Sequence, residues 1–574
     1  MKTVRPDRGL GGRTRRRSAS RRPVRTIRLQ GARKQVIETG YQRLIVVGAM
    51  FVLAFIVLAG RLIDLATGTA ATVRGRPIAQ TQTAHPRADI VDRNDVVLAT
   101  SLETVSLYAR PSLVPDPEQA VRKLVGAVPG LDAARTLRLL RSGRRFVWLK
   151  RKLSPRAHRA VLDLGIPGVD FRREYRRVYP QGALAGHVLG YVDIDNHGLA
   201  GIERHFDDRL RGGERPVRLS LDLRVQHALR YELGRGMAEF SAHGAVGVVM
   251  DVQTGEILAL VSLPDFDPNR PGTAPAGARF NRATLGVYEM GSTFKSFTIA
   301  LALDSGVINL HSAYDTTQPL HLARYVIRDD HPRKGMLSVP EIYAYSSNIG
   351  AAQIAMDVGA RAQRRFLGRL GLLERPKLEL PEIGTPLVPA RWRRVEAVTI
   401  SYGYGLAVSP LQLVRGIAAL VNGGVLPDPT LVRRAPGTVT AGRRVISQQT
   451  SRTMRALMRL VVEQGTGSRA DARGYLVGGK TGTARKVAAA TGSYRDGALL
   501  SSFVGVFPVD APRYLVLAML DEPTGTKATH GFAGGGWTAA PITRAVITRV
   551  APLLGVTPAP ADPKTTPILA AVRR

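Results

Sequence analysis

Gly291-Ser292-Thr293-Phe294-Lys295-Ser296-Phe297-Thr298-Ile299-Ala300-Leu301-Ala302-Leu303 is the stretch on which the reading turns. From Phe294 it is apolar and long enough for a buried helix, stopped near Asp304-Ser305-Gly306. Ser292 falls at the helix start, and Lys295, one turn on, shares its face. A serine hydroxyl is a poor nucleophile until a base takes its proton. A lysine held in an apolar site loses basicity and becomes a candidate for that base. A helix N-terminus also favours negative charge on an oxyanion. Taken alone, the segment reads equally well as a capping serine followed by an ordinary lysine.

Two further strings decide between these readings. Ser346-Ser347-Asn348 lies between Tyr343-Ala344-Tyr345 and Ile349-Gly350-Ala351-Ala352, as a polar turn facing a cleft would. Ser346 is a candidate proton relay and Asn348 a candidate holder of a substrate amide; in isolation the triplet reads as a helix N-cap. Lys480-Thr481-Gly482-Thr483 follows Tyr475-Leu476-Val477-Gly478-Gly479, a short strand pattern. Gly482 leaves room for a ligand along the strand. Lys480 with the Thr481 and Thr483 hydroxyls suits a substrate carboxylate, and the backbone N–H groups of Ser292 and Thr483 suit an oxyanion hole. In isolation this string is a Gly-rich turn. All three in one order describe a serine acyl-transfer enzyme. Ser292, Lys295, Ser346, Asn348 and Lys480 are its expected catalytic residues, and Thr481, Gly482 and Thr483 its expected substrate contacts.

This motif set belongs to penicillin-binding proteins and class A β-lactamases. The chain resembles a class B penicillin-binding protein, a peptidoglycan D,D-transpeptidase, in its division-type (FtsI-like) branch. The resemblance runs from about Arg61 to about Leu554. Pro86-Arg87-Ala88-Asp89-Ile90-Val91-Asp92-Arg93-Asn94 resembles the family's Arg-Gly-x-Ile-x-Asp-Arg-Asn segment, and Arg177-Val178-Tyr179-Pro180, Gly190-Tyr191 and Gly201-Ile202-Glu203 its pedestal signature. Thr254-Gly255-Glu256-Ile257-Leu258-Ala259, Ser401-Tyr402-Gly403-Tyr404-Gly405 and Asp521-Glu522-Pro523 resemble its transpeptidase strand, substrate loop and a segment near its C-terminus. Ala88 and Asp95 stand where glycine is usual, and Glu289-Met290-Gly291 where many relatives have proline before the glycine.

The resemblance implies an α/β (α+β) transpeptidase fold: a central antiparallel sheet with helices on both sides, an elongated α+β pedestal and one transmembrane helix. It also implies a serine D-Ala-D-Ala transpeptidase that crosslinks stem peptides for septal wall synthesis and is acylated by β-lactams. Implied partners are stem peptides and the lipid-linked precursor glycan, with a membrane glycosyltransferase and divisome proteins by analogy. An elongation-type class B enzyme, or a β-lactam sensor or scaffold without turnover, are the alternatives. No Glu-x-x-Leu-Asn segment supports a β-lactamase, and no Glu-Asp-x-x-Phe glycosyltransferase signature supports a bifunctional class A enzyme.

The 574 residues suffice for two or three domains, with ordinary hydrophobic (44%) and charged (22%) fractions. No cysteine is present, which excludes disulfides and thiolate zinc sites, and no paired-histidine metal motif occurs; no cofactor or metal is expected. The net charge of +37 suggests nucleic acid. That reading is discounted because the charge starts in an Arg-rich tail, residues 1–43, mixed with Pro, Gly and Ser and expected to be disordered. An uncharged run, Leu44–Gly60, follows before Arg61. As a helix it covers roughly 26 Å, and Arg61 snorkelling with Leu62-Ile63 extends it to a bilayer's width.

A basic tail before one apolar span is the positive-inside pattern, so the tail is expected to be cytoplasmic and the catalytic part outside the inner membrane, at the septum by resemblance. The rival is a signal peptide cleaved near Thr69-Ala70-Ala71. The expected division is tail 1–43, anchor 44–64, pedestal 65–214, transpeptidase domain 215–556 and a Pro/Ala-rich tail 557–574. Ala245–Met250 with Ile257–Val261, and Phe503–Phe507 with Tyr514–Met519, are expected as hairpins of buried strands.

Overall fold

The strand Tyr514–Asp521 is apolar at nearly every position because both its faces are covered. Leu515, Leu517 and Met519 point into one core, and Tyr514, Val516, Ala518 and Leu520 into another, as the two-residue period of a strand requires. This strand is central in a five-stranded antiparallel sheet, ordered Gly478–Val487, Tyr494–Phe507, Tyr514–Asp521, Gly244–Asp251, Ile257–Leu263. Both expected hairpins are present in it. Helices Leu223–Glu239 and Ala539–Leu553 cover one face. Lys295–Asp304, Pro410–Val421 and Gln448–Glu463 cover the other. In this computed structural model the described residues are 45–63, 86–213, 215–323, 325–435, 437, 442–487 and 494–559. The expected basic tail, the start of the expected pedestal and most of the C-terminal tail lie outside them.

The chain divides into two compact units, Met1–Thr83 and Ala84–Arg574. In the first, Ile45–Ile63 is a 19-residue helix of mean hydropathy 2.5 with none of its length buried. It is long and apolar enough to cross a membrane.

Within the second unit, residues 86–213 carry a smaller sheet. Val97–Ala109 pairs antiparallel with Val147–Leu153 on one side and Val169–Val178 on the other. Three helices, Pro117–Ala127, Ala133–Leu140 and Pro155–Leu162, pack their apolar faces on it. Each starts at a side-chain cap (Asp116, Asp132 and Ser154) that accepts from a backbone N–H of the first turn. Ile90–Val91 joins this sheet to Val217–Arg218 in parallel pairing. The segments that carry the pedestal resemblance meet in one buried ion cluster. Glu203 takes Arg87 at 2.7 Å and Arg177 at 2.6 Å, and its side chain is 0% exposed. Asp95, in place of the usual glycine, keeps the left-handed turn (φ 66°) and pairs with Arg218.

One local expectation shifts. The strand anticipated over Tyr475–Gly479 begins at Gly478 and runs through Lys480-Thr481-Gly482-Thr483 to Val487. The motif therefore lies on the strand rather than after it, and that strand is the edge of the sheet.

Candidate active site

Ser292 sits in a 3-10 turn, Gly291–Phe294, that feeds directly into the helix Lys295–Asp304. Gly291 has φ 54°, and a Cβ there would collide with the backbone carbonyl of Thr483. The turn thus packs backbone to backbone on the edge strand, bringing the main chains of Ser292 and Thr483 together. Lys295 is 1% exposed on a helix that is otherwise apolar in its first two turns, save Ser296 and Thr298.

The Lys295 amine has four oxygen neighbours. They are Ser292 Oγ at 2.8 Å, the Ser346 carbonyl at 2.8 Å, Ser346 Oγ at 3.1 Å and Asn348 Oδ1 at 2.6 Å. The Ser346 carbonyl and Asn348 Oδ1 can only accept, so they take two N–H bonds. In a neutral amine the lone pair then remains for a hydroxyl, and Ser292 is the nearer one. Burial draws the Lys295 pKa down to about 7, against the opposing charges of Asp329 and Asp330.

Lys480 is the second buried amine. It donates to Ser346 Oγ at 2.9 Å and lies 5.8 Å from the centroid of the Tyr343 ring. Burial first, and the charge of Lys295 second, push its pKa well below that of a free lysine. Ser346 Oγ therefore bridges two amines of depressed basicity. Ser346 holds that place in a left-handed conformation (φ 64°) between the helices Val339–Tyr345 and Asn348–Val358.

The triplet divides its work. Ser347 caps the second helix, accepting from Gly350 N at 3.0 Å, as the segment alone suggested. Asn348, expected to hold a substrate amide, spends Oδ1 on Lys295 and donates Nδ2 to the Arg328 carbonyl at 3.0 Å. Asp329 fixes the whole turn: it accepts from Ser347 Oγ at 2.7 Å, Asn348 N at 2.5 Å and Ile349 N at 2.9 Å. Sequence reading missed Asp329, because nothing in its spacing from the triplet marks it.

A cavity of about 250 Å³ opens on this cluster. Ser292, Ser346, Thr481 and Thr483 line it, while the buried Lys295 and Lys480 lie behind its wall. The cation at the wall is Arg469, stacked over the Trp537 ring at 3.4 Å, which the sequence did not single out. Thr481 Oγ1 bonds Thr466 Oγ1 at 2.7 Å, and Thr483 Oγ1 accepts from Gly535 N at 3.1 Å. A Cβ on Gly482 would meet Met290 O at 2.8 Å and Thr293 Cγ2 at 2.9 Å. Gly482 thus makes room for the nucleophile's own turn rather than for a ligand alone. Glu289 ties the turn to the Tyr402–Gly405 loop, accepting from Gly405 N at 2.6 Å.

The arrangement can supply a serine nucleophile with an amine base and a relaying hydroxyl. Comparison with known proteins agrees. Residues 245–548 match the penicillin binding protein transpeptidase domain, and residues 82–223 the penicillin-binding protein dimerisation domain. The chain is 43% identical over 481 residues to the probable peptidoglycan D,D-transpeptidase FtsI of Caulobacter vibrioides, covering 82% of each. It is 30% identical over 516 residues to the peptidoglycan D,D-transpeptidase FtsI of Escherichia coli K12, covering 83% of this chain and 85% of that one. Among solved structures, penicillin binding protein 3 of Mycobacterium tuberculosis complexed with ampicillin matches with a TM-score of 0.67 at 25% identity, over 85% of this chain and 98% of that one. With the fold, the motif cluster and these relatives in agreement, the chain belongs to the penicillin-binding proteins, in the division-type branch of class B.

Proposed function

We propose that this chain is a peptidoglycan D,D-transpeptidase working through a Ser292 acyl-enzyme, with Lys295 as base. Neutral Lys295 takes the Ser292 proton as Oγ bonds the carbonyl carbon of a terminal D-alanyl-D-alanine peptide. The N–H groups of Ser292 and Thr483 stabilise the oxyanion. As the carbonyl re-forms, the C–N bond breaks and Ser346, between Lys295 and Lys480, passes a proton to the departing D-alanine amine. An amine of a second stem peptide then attacks the ester, forms the crosslink and returns the proton to Ser292. A β-lactam acylates Ser292 by the same first step and, with its leaving group still tethered, is released slowly.

The observation that carries this reading is the Lys295 amine, 2.8 Å from Ser292 Oγ with two of its N–H bonds committed to pure acceptors. Thr481, Thr483 and Arg469 at the cavity wall suit the substrate's terminal carboxylate. The helix Ile45–Ile63 serves as a single-pass anchor, with the basic residues 1–43 in the cytoplasm and the pedestal (65–214) and transpeptidase domain (215–556) outside. The enzyme works at the septum beside a membrane glycosyltransferase and divisome proteins. The test is to supply the detergent-solubilised protein and a partner glycosyltransferase with lipid-linked precursor and analyse the digested product. Crosslinked muropeptides should form with the native chain and vanish with Ser292→Ala; equal crosslinking by both overturns the reading. A fluorescent fusion forming a midcell band supports the septal role, and a peripheral patchwork contradicts it.

A further inference from the structure

The helix Ala360–Arg369 carries Arg361, Arg364, Arg365 and Arg369 in ten residues, with no acid in its first turn. Gln363, Phe366 and Leu367 face inward. The arginines recur at spacings of three and four, where like charges repel along a helix. Arg361 also sits in the first turn, where the helix dipole disfavours a cation. The helix is therefore less stable than one of balanced charge.

Some exposed arginines elsewhere are paired: Arg141 with Glu118, Arg230 with Asp265, Arg235 with Glu232. Arg369 too is held, donating to the Val445 carbonyl at 2.7 Å. The side chains of Arg361, Arg364 and Arg365 make no ion pair or hydrogen bond with any described residue. They line a cavity of about 630 Å³ with Ala360, Leu373 and Trp392, and no acid lines it. Trp392 is fixed, its Nε1 donating to Gln363 Oε1 at 2.9 Å, and exposed Arg391 and Arg393 flank it in sequence. The cavity shares no lining residue with the catalytic one.

We propose that this cavity binds a phosphate-bearing anion of two or more closely spaced charges. Guanidinium forks bind phosphate oxygens two at a time and keep their charge throughout the working pH range. Three of them around one concavity match an oligophosphate better than a single carboxylate. The Trp392 ring gives the ligand an apolar wall and the experiment a local reporter.

The test uses the full chain in uncharged detergent at low salt, following Trp fluorescence while inorganic triphosphate is added. A saturable change is expected in the native chain and none in Trp392→Phe, which isolates the signal from Trp148, Trp537 and the basic tail. Arg361→Gln/Arg364→Gln/Arg365→Gln should bind at least tenfold more weakly, and added salt should weaken native binding. Retained labelling by a fluorescent penicillin shows that the variants are folded. Vesicles of phosphatidylcholine with and without cardiolipin, whose headgroup carries two phosphates, distinguish the source. A Trp392 response to the anionic vesicles alone assigns the site to a lipid headgroup, and a response to triphosphate alone to a soluble phosphate. A Trp392 signal absent with both probes, or equal affinity in the triple variant, overturns the proposal.

Discussion

Asp329→Asn should move the pH profile of serine acylation to lower pH. The substitution keeps an Oδ1 acceptor for the N–H groups of Asn348 and Ile349, so the turn stays in place while one negative charge is removed. That charge is the larger of two that hold the Lys295 pKa up against burial, the other being Asp330. The sign follows: with less negative charge nearby, the ammonium loses stabilisation, the neutral amine forms more readily and the pKa falls. A neighbouring opposite charge is worth roughly one to three pKa units, and the low end fits a carboxylate already accepting three hydrogen bonds. One unit is about 1.4 kcal/mol.

With Lys295 titrating at about 7, about a tenth of it is neutral at pH 6 and about nine-tenths at pH 8. Native acylation should therefore quicken about tenfold across that interval. In Asp329→Asn, with the pKa near 6, the rise should shrink to about twofold. The assay is the second-order rate of labelling by a fluorescent penicillin at pH 6, 7 and 8, with Asp330→Asn as a smaller shift in the same direction. A variant profile that overlays the native one, or moves to higher pH, refutes the reasoning.

Three other substitutions probe separate parts of the account. Ser346→Ala removes the hydroxyl between the two amines with little change in volume, and single-turnover labelling should slow by about 10²–10⁴-fold. Gly482→Ala places a Cβ against Ser502 Oγ and Met290 O, on the turn that carries Ser292. The overpacking, about 1–3 kcal/mol, should lower Tm, and displacement of the turn that carries Ser292 should slow labelling by up to about 100-fold. Glu203→Ala strands Arg177 as a buried, unpaired charge and leaves Arg87 with Asp207 alone, at about 3–5 kcal/mol. Calorimetry should show a clearly lowered Tm, while the protein that remains folded at low temperature still labels at the native rate.

Much of this was legible in the sequence, for physical reasons. A strand covered on both faces is apolar throughout, so Tyr514–Met519 and Ala245–Met250 announced themselves. A lone lysine in Phe294–Leu303 stood out because burying an amine there requires partners. The three motifs identified the cluster, and the fold brings Ser292, Lys295, Ser346, Asn348 and Lys480 together. What stayed hidden depends on chain geometry beyond the motifs. Ser347 was a cap and its neighbours were not, because a helix boundary falls inside the triplet and turns Ser346 to a left-handed φ. Asp329 and Arg469 come from loops whose approach to the site no local pattern encodes. Lys480 read as a cation suited to a substrate carboxylate and as a catalytic residue; that it lies fully buried behind the wall follows from the facing of its strand, which the motif does not encode.

Peptide mass spectrometry of the native chain after brief exposure to a penicillin examines the proposal at its root. One covalent adduct is expected, on the tryptic peptide that holds Ser292, and none after Ser292→Ala. An adduct on another residue, or undiminished loading of the alanine variant, would contradict the account.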